Sequence, residues 1–433
     1  MNRESIGIGL MGLGVISGGV ARVLRDRAAA LSEQVGCPLV LRKVKVLASD
    51  LDRPQAREMD SRLFTTDDDE FFTEPGIDIV IEAIGGESPA HEYLQRAISA
   101  GKHVVTSNKE LIAKHGTELW QLAQQHGVGL RYEASVGGGI PLIAPVQHDL
   151  VANRISGIYA IINGTTNYIL TRMAKEGVDF SSALSNAKEL GYAEADPGND
   201  IEGVDATYKL SILASLAFHT RVRPQDIHHE GISRLDSRDF RYARELGYAI
   251  KLLAIAKQDD SSVEVRVHPV FIPEEFFLAK VDGVYNAVLI EGDLVGQVLF
   301  FGEGAGALPT SSAVIADVVS TARDILAGSG GRAGWRLEPG KTIKPMSEVE
   351  TRYYLRMNVA DSPGVLAQIS KVLGDHQISI ASVIQKEVNE AVQTAEIVIM
   401  THPAKEAAMQ QALEEVEHLP LVREVSNFIR VEA

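Results

Sequence analysis

The sequence predicts an α/β fold class: a doubly wound parallel sheet, then an α+β middle region, then a small βαββαβ module. Three observations predict it. In roughly the first 135 residues, short apolar runs alternate with helical stretches, the pattern of a parallel sheet with helical crossovers. From Ile140 to about Leu308 the alternation gives way to a mixed pattern. After a Gly-rich segment without period, Gly328 to Lys341, the last 84 residues keep a strand–helix rhythm of their own. A length of 433 residues fits about three domains of about 150 each.

The elements follow in order. Ser5–Met11 reads as a strand, and glycines then lead into a helix from about Val15 to Leu31. Leu39–Ala48 is β-rich, and Ile77–Ala83 (IDIVIEA) is a buried-strand pattern ending in Gly85-Gly86. A helix covers about Pro89–Ser99, a strand Lys102–Ser107, a helix Lys109–His126 and a strand Val128–Ala134. The middle region holds a helix near Gly203–His219, strand candidates at Ser262–Ile272 and Ala287–Phe301, and a helix at Ser311–Ala327. The Gly-rich segment reads as a linker. The tail reads as strand 351–359, helix 363–374, strand 378–385, strand 392–400, helix 403–415 and strand 420–430, a ferredoxin-like split unit. Ser362-Pro363 and His402-Pro403 place proline at the first position of each helix. This tail reads as the separable piece of the chain.

Composition excludes several classes. The apolar share of 45% and charged share of 23% are ordinary for a globular protein. The net charge of −16 disfavours a nucleic-acid partner or an anionic membrane surface. Small anions remain possible ligands, because they need only a local site. Cys37 is the single cysteine, so an intrachain disulfide and a Cys-based zinc site both fail. No apolar run approaches 18 residues, and the N-terminus lacks a signal peptide's apolar stretch. The cytoplasm is the expected compartment. The 12 histidines show no metal spacing such as His-Glu-x-x-His, and His228-His229 reads as a surface turn.

The literal Gly-x-Gly-x-x-Gly match, Gly7, Gly9 and Gly12, is in the wrong place, because Gly7 and Gly9 lie inside the first strand. A phosphate loop follows the strand and opens the helix. That register is Gly12-Leu13-Gly14-Val15-Ile16-Ser17, with Ser17 where a third glycine would stand. Gly12 allows the turn, and Gly14 lets the backbone approach a pyrophosphate at the helix N-terminus. A tight strand–helix turn without a ligand fits the same residues. The second strand ends Ala48-Ser49-Asp50, with Arg53 beyond. Asp50 would accept from a free ribose 2′-hydroxyl, Arg53 would favour a 2′-phosphate, and Asp50 as a helix cap is equally open.

Several segments resemble the homoserine dehydrogenase family. They are GLMGLGVISGGV (9–20), GKHVVTSNKELIAKHG (101–116), YEASVGGGIPLI (132–143), NGTTNYIL (163–170), ELGYAEADPGNDIEGVDATYKLSILASLAF (189–218) and FGEGAGALPTSSAV (301–314). The resemblance implies a reversible, NAD(P)-dependent interconversion of L-homoserine and L-aspartate 4-semialdehyde, in threonine, methionine and isoleucine biosynthesis. It implies a Rossmann nucleotide-binding domain at 1–139 plus 309–330 and a substrate-binding and dimerisation domain at 140–308. A linker at 331–349 and a regulatory domain at 350–433 complete the scheme. Gly12, Leu13, Gly14, Val15, Ile16, Asp50, Gly85, Lys109, Gly191 and Gly304 fall at positions expected to meet the cofactor. By family match Lys209 is the proton donor, with Asp205 its orienting, substrate-binding partner, and Lys109 shares the polarising role. Glu194 matches the residue for the substrate ammonium, Asp200 a further acidic position, and Tyr192 lies beside them. The resemblance also makes Glu133, Val136, Gly138 and Ile140 a main-chain carbonyl site for a monovalent cation, Na+ or K+, where a plain Gly-rich hinge fits equally well.

The chemistry of the residues agrees. Hydride transfer to an aldehyde leaves an alkoxide that a lysine ammonium can hold and protonate. Lys209 lies four residues after Asp205, one helical turn along one face. An exposed ion pair would have the same spacing, but the helix continues LSILASLAF, too apolar for a wet face. Lys109 follows the carboxyl end of the KHVVTS strand, where open α/β sheets bind ligands. Two other functions compete. A phosphorylating aldehyde dehydrogenase needs a cysteine nucleophile, and Cys37 lies far from the strand ends of the site in sequence. A non-catalytic sensor is disfavoured by the intact 189–209 segment.

Leu355–Gln385 (LRMNVADSPGVLAQISKVLGDHQISIASVIQ) resembles an ACT domain, a small-molecule regulatory module. Gly364 and the helix N-terminus would accept an amino acid's carboxylate, and Asn358 and Asp361 would face its ammonium. The resemblance implies feedback by an end product such as L-threonine, and an oligomerisation module without ligand is the alternative. The resemblance implies a homodimer or homotetramer.

Overall fold

The computed structural model describes residues 3–329, 340–389 and 393–432. Its Cα positions divide the described residues between two compact units, one within Met1–Ser156, Tyr208–Gln225 and Asn286–Pro339, the other within Gly157–Thr207, Asp226–Tyr285 and Gly340–Ala433.

The first unit begins β1 (Ile6–Met11), α1 (Val15–Asp26), α2 (Ala28–Val35), β2 (Leu39–Lys45), α3 (Pro54–Arg57), β3 (Phe64–Thr65), α4 (Asp68–Thr73), β4 (Ile79–Glu82), α5 (Ala90–Ser99), β5 (His103–Thr106), α6 (Lys109–His126) and β6 (Leu130–Arg131). These six strands form one parallel sheet in the order β3-β2-β1-β4-β5-β6, the doubly wound topology expected from the sequence. Gly7 and Gly9 lie inside β1. A Cβ at Gly7 would stand 1.7 Å from the Gly76 carbonyl oxygen, so this glycine serves close backbone packing.

The chain continues β7 (Ile155–Ile161), α7 (Gly164–Glu176), α8 (Phe180–Glu189), α9 (Gly198–Ile201), α10 (Val204–Phe218), β8 (His228–His229), α11 (Ser237–Glu245), β9 (Tyr248–Gln258), β10 (Ser262–Pro273), β11 (Tyr285–Gly292), β12 (Gly296–Glu303) and α12 (Ala307–Ala327). The tail holds β13 (Thr342–Ile343), β14 (Glu350–Ala360), α13 (Val365–Asp375), β15 (Ile380–Asn389), β16 (Thr394–Thr401), β17 (Ala404–Lys405), α14 (Glu406–Glu417) and β18 (Val422–Val431). In the first unit α12 returns to the parallel sheet, and Val314 and Val318 share one core with Ile6, Ile8, Ile79 and Ile81. In the second unit the sheet runs β7-β9-β10-β18-β14-β16-β15. The tail expected to be separable therefore shares a sheet with the middle region: β18 pairs with β10 through Val270–Arg430 and Phe271–Val431.

The structure corrects several element boundaries. The first helix breaks at Arg27, whose φ of −115° and ψ of 19° leave the helical region. The strand expected over Val128–Ala134 shrinks to β6, because Glu133–Ser135 turns into a 3₁₀ segment. The strand expected over Ala287–Phe301 is a hairpin, β11 and β12, with Gly296 at φ 70° after the turn. His228-His229 is a short bridge to Arg266 and Val267 of β10, not a free turn. Neither tail proline stands at the first helical position. Gly364 in the left-handed region caps α13, and Ala404–Lys405 stays extended to pair with β14, so α14 begins at Glu406. The first part of the linker read at 331–349, residues 331–339, lies outside the described residues. Beyond it, Thr342–Ile343 pairs with β10.

Candidate functional site

The first unit carries a cleft of about 240 Å³ at the carboxyl end of β1 and β4, lined among others by Gly12, Gly14, Asp50, Arg53 and Ile84. Gly12 makes the turn out of β1 at φ 91°, where a side chain would be strained. Gly14 is the N-cap of α1, and no side-chain hydrogen bond caps this helix. Its first N–H groups therefore need another acceptor, and an anion at a helix N-terminus supplies one. A Cβ at Gly14 would have only the Arg53 guanidinium near it, at 3.9 Å, so the space over the loop is open. Leu13 is buried beneath the loop, Val15 is exposed beside it and Ile16 packs against the sheet core. These residues fit a dinucleotide's pyrophosphate.

Ser17, in the place of the third glycine, is fully buried, and its hydroxyl has no partner among the described residues. A different close approach, of α1 to α12, is made at Gly19. A Cβ there would stand 2.3 Å from Ser311 Oγ and 3.1 Å from the Ala307 carbonyl oxygen of α12. The sequence reading missed this role.

Asp50 is buried and does two things at once. Its Oδ2 accepts the Leu47 N–H at 3.0 Å, the cap reading. Its Oδ1 pairs with Arg53 Nε at 2.9 Å, and both side chains line the cleft. Arg53 also donates to the Leu13 carbonyl at 3.3 Å, tying the Asp50 side of the cleft to the glycine loop. Gly85, at φ 83°, follows β4. The buried Glu82 carboxylate accepts the Ile84 and Gly85 N–H groups at 2.7 and 3.2 Å and fixes that loop. Asn108 caps α6 by accepting from Leu111 N–H at 3.1 Å, and its amide reaches back to the Gly86 carbonyl at 2.6 Å. Lys109, first residue of α6 and half-buried, thus starts from a fixed backbone.

The helix α10 carries Asp205 in its first turn and Lys209 one turn on. Lys209 is half-buried, and 210–218 are buried throughout, as the apolar run predicts. In the second unit Asp200 and Asp205 are joined by a residue to which the sequence reading gave no role. Asn163, N-cap of α7, donates its amide to Asp200 Oδ1 at 2.7 Å and to Asp205 Oδ2 at 2.9 Å. Its Oδ1 accepts the Thr166 N–H at 2.9 Å, which settles the amide's orientation. Thr165 Oγ1 lies 2.9 Å from Asp200 Oδ2 and 2.7 Å from the Tyr192 carbonyl oxygen. Tyr192 stacks obliquely on Tyr168, with centroids 4.9 Å apart. Gly191, in the left-handed region with open space around it, and Glu194 are exposed. An acidic cluster held by an amide and a hydroxyl suits an ammonium.

In the first unit Glu133 is buried. Its carboxylate accepts the N–H groups of Leu142, Ile143 and Ala144 at 2.6, 2.9 and 2.7 Å. Its own N–H donates to Asp317 Oδ2 at 2.8 Å. Burial, with the Glu133 charge adding to it, pushes Asp317 up to about 7. The Val136–Ile140 segment turns through Gly137 and Gly138, both at positive φ. A Cβ at Gly138 would meet the Gly304 carbonyl oxygen at 2.4 Å, and one at Gly304 would meet the Asn286 amide at 1.8 Å. Both glycines are therefore fixed by packing within the protein itself.

In the tail, Gly364 is the N-cap of α13. Asp361 donates its N–H to the Gln393 carbonyl at 2.9 Å. Asn358 Oδ1, on β14, is buried and lacks a hydrogen-bond partner among the described residues. Among the described residues, no helix is long and apolar enough to cross a membrane.

Comparison with known proteins places this architecture. Family profiles match at residues 12–133 (homoserine dehydrogenase, NAD-binding domain), 141–319 (homoserine dehydrogenase) and 353–420 (ACT domain). The chain is 44% identical over 437 residues to the homoserine dehydrogenase of Neisseria gonorrhoeae, covering 99% of each chain. It is 37% identical over 429 residues to that of Bacillus subtilis, again covering 99% of each. Among solved structures, a homoserine dehydrogenase from Thiobacillus denitrificans superposes with a TM-score of 0.92 at 42% identity, covering 99% of this chain and 98% of that one. A hyperthermophilic archaeal homoserine dehydrogenase in complex with NADPH matches at a TM-score of 0.61 and 27% identity, covering 73% of this chain and 97% of that one. With a nucleotide cleft at the end of a doubly wound sheet, an acidic cluster in the second unit and a C-terminal ACT module, the chain belongs to the homoserine dehydrogenase family and is an NAD(P)-dependent oxidoreductase.

Proposed function

We propose that the interconversion of L-homoserine and L-aspartate 4-semialdehyde runs through Lys209 as proton donor. The observation that carries this reading is a half-buried ammonium on α10, one turn from a buried aspartate and followed by nine buried residues. The bound nicotinamide supplies or takes the hydride. In the reducing direction the aldehyde oxygen gains charge, and an ammonium in a weakly screened setting stabilises that charge before giving up its proton. Lys109 adds a second positive charge at the cofactor end. Glu194, Asp200 and Asp205 receive the substrate ammonium, with Asn163 and Thr165 positioning the two aspartates and Gly191 and Tyr192 beside them. Gly12 to Ile16, Gly85 and Gly304 serve the cofactor, and the Asp50–Arg53 pair meets its ribose. Carbonyls of Glu133, Val136, Gly138 and Ile140 hold a monovalent cation, since hard cations take oxygen ligands.

The ACT module takes L-threonine at Asn358, Asp361 and Gly364, and the unsatisfied Asn358 oxygen is an acceptor for its ammonium. The chain forms a homodimer or homotetramer. Supporting this, Leu294, Val295, Leu299 and Phe301 of the β11–β12 hairpin are exposed. The protein works in the cytoplasm, with no nucleic-acid or membrane partner.

The test is the initial rate with L-homoserine under NAD+ and NADP+ in parallel, on the parent and on Lys209→Ala. Turnover with either cofactor, and a loss of roughly 10²- to 10⁴-fold in kcat with cofactor affinity retained, is the expected result. An unchanged kcat in Lys209→Ala removes that lysine from the chemistry.

A further inference from the structure

Away from the cleft, the first unit brings together three metal-ligating side chains. His91 is the second residue of α5, and His115 and Glu118 stand one turn apart on α6. One ligand atom from each lies within 4.8 Å of the others. The imidazoles stack with centroids 4.1 Å apart and planes inclined by 21°. The Glu118 carboxylate faces both rings, with Oε1 3.6 Å from His91 Nε2 and Oε2 3.6 Å from His115 Nδ1. Two ligands bonded to one tetrahedral zinc at about 2.0–2.1 Å are themselves about 3.3–3.5 Å apart. Small side-chain adjustments would close the set.

Two further details point to a ligand. His115 Nε2 lies 2.9 Å from Glu87 Oε1. Donation from that nitrogen to the carboxylate fixes the tautomer and leaves the Nδ1 lone pair towards Glu118, an arrangement repeated around metal-bound histidines. Glu87 is itself held, because its Oε2 accepts from Lys114 Nζ at 2.8 Å. His91 Nε2 is buried with no hydrogen-bond partner among the described residues, a cost that coordination would remove. Glu118 keeps the other side open to solvent at 57% exposure, and its Oε1 also accepts from Gln95 at 2.8 Å.

We infer that His91, His115 and Glu118 form a binding site for a divalent transition-metal ion, with Glu87 as the positioning residue behind His115. Imidazole with carboxylate selects zinc-like ions over magnesium or calcium. Bound metal would pin the start of α5 to α6. The segment entering α5 includes Ile84 and Pro89, which line the nucleotide cleft. The site does not depend on the catalytic reading above.

The test uses the full chain, freed of metal by chelator and titrated with Zn²⁺ by calorimetry and with Co²⁺ by visible absorbance. One metal per chain and the strong visible band of tetrahedral Co²⁺ are expected. His91→Gln and His115→Gln should each weaken that site at least about tenfold, and Glu87→Gln about 10- to 100-fold with all three ligands retained. Zinc should raise the Tm of the parent and not of the histidine variants. Turnover of the variants in chelator checks that they fold, and if they do not, the parent's stoichiometry and Co²⁺ spectrum decide. The absence of a stoichiometric site in the parent overturns the proposal, as does unchanged binding in folded histidine variants.

Discussion

Both units have an apolar core, but one joint of the second is held differently from the sheet of the first. In the first, parallel strands bury aliphatic side chains, with Ile6, Ile8, Leu10, Ile79 and Val314 in one apolar cluster. In the second, the joint between the tail and the middle region is ionic. Arg356 on β14 is 1% exposed and donates Nε to Asp239 of α11 at 2.7 Å and Nη1 to Glu396 at 3.2 Å. Tyr354 and Tyr242 donate their hydroxyls to the same two carboxylates, at 3.0 and 2.8 Å. Arg430 on β18 binds Glu406 and Glu230. The contrast teaches where each unit is vulnerable. An apolar core loses stability in proportion to volume removed, whereas a buried charge network fails when one partner is left unpaired.

The largest expected effect breaks the ionic joint. Arg356→Ala removes the buried cation facing Asp239, leaves Glu396 with Arg238, and should cost about 3–5 kcal/mol in urea unfolding. A loss under about 1 kcal/mol would mean that the joint is not held by charge. The next tests one buried acid of the first unit, Asp317. Its folded pKa lies above the ordinary value of 3.8, so folding favours the protonated form. The penalty is absent below the unfolded pKa, accrues as pH rises towards about 7 and is constant above it. Asp317→Asn cannot ionise, so its stability relative to the parent should improve by about 2–3 kcal/mol between pH 5 and 8. A flat difference across that range would refute the shift.

Two glycines of α1's entry then separate packing from ligand space. Gly19→Ala gains helix propensity but meets Ser311 and the Ala307 carbonyl. The net cost should be roughly 1–2 kcal/mol, read as a lower Tm. Gly14→Ala meets no protein atom closer than 3.9 Å, and its stability should fall by only about 0.5–1 kcal/mol, the difference between Gly and Ala at an N-cap. Its cofactor KM should nevertheless rise about tenfold. If both variants behave alike, the two glycines do not have distinct roles.

What the sequence showed follows the same divide. Local periodicity located β1, β4 and β5, and α6 spans Lys109–His126 as read. The glycine loop and the apolar flank of Lys209 were also local signals. Features set by long-range partners were hidden. Asn163 was only part of a matched segment, since the aspartates it joins come 37 and 42 residues later. Asp239 and Arg356 lie 117 residues apart, and no local signal in the sequence links them. The histidine pair comes from two helices, so no spacing rule could register it. Pro363 misled because Gly364, not the proline, sets the start of α13.

The pairing of β18 with β10 has a mechanical consequence. The backbone N–H of Glu432, next to last in the sequence, donates to the Phe271 carbonyl at 2.9 Å. Tension directed along β18 would load its two residue pairs to β10 and its pairing with β14 together in shear. The ACT module and the middle sheet should therefore yield to force as one body, in a single rupture, although a family profile marks the tail as a domain of its own.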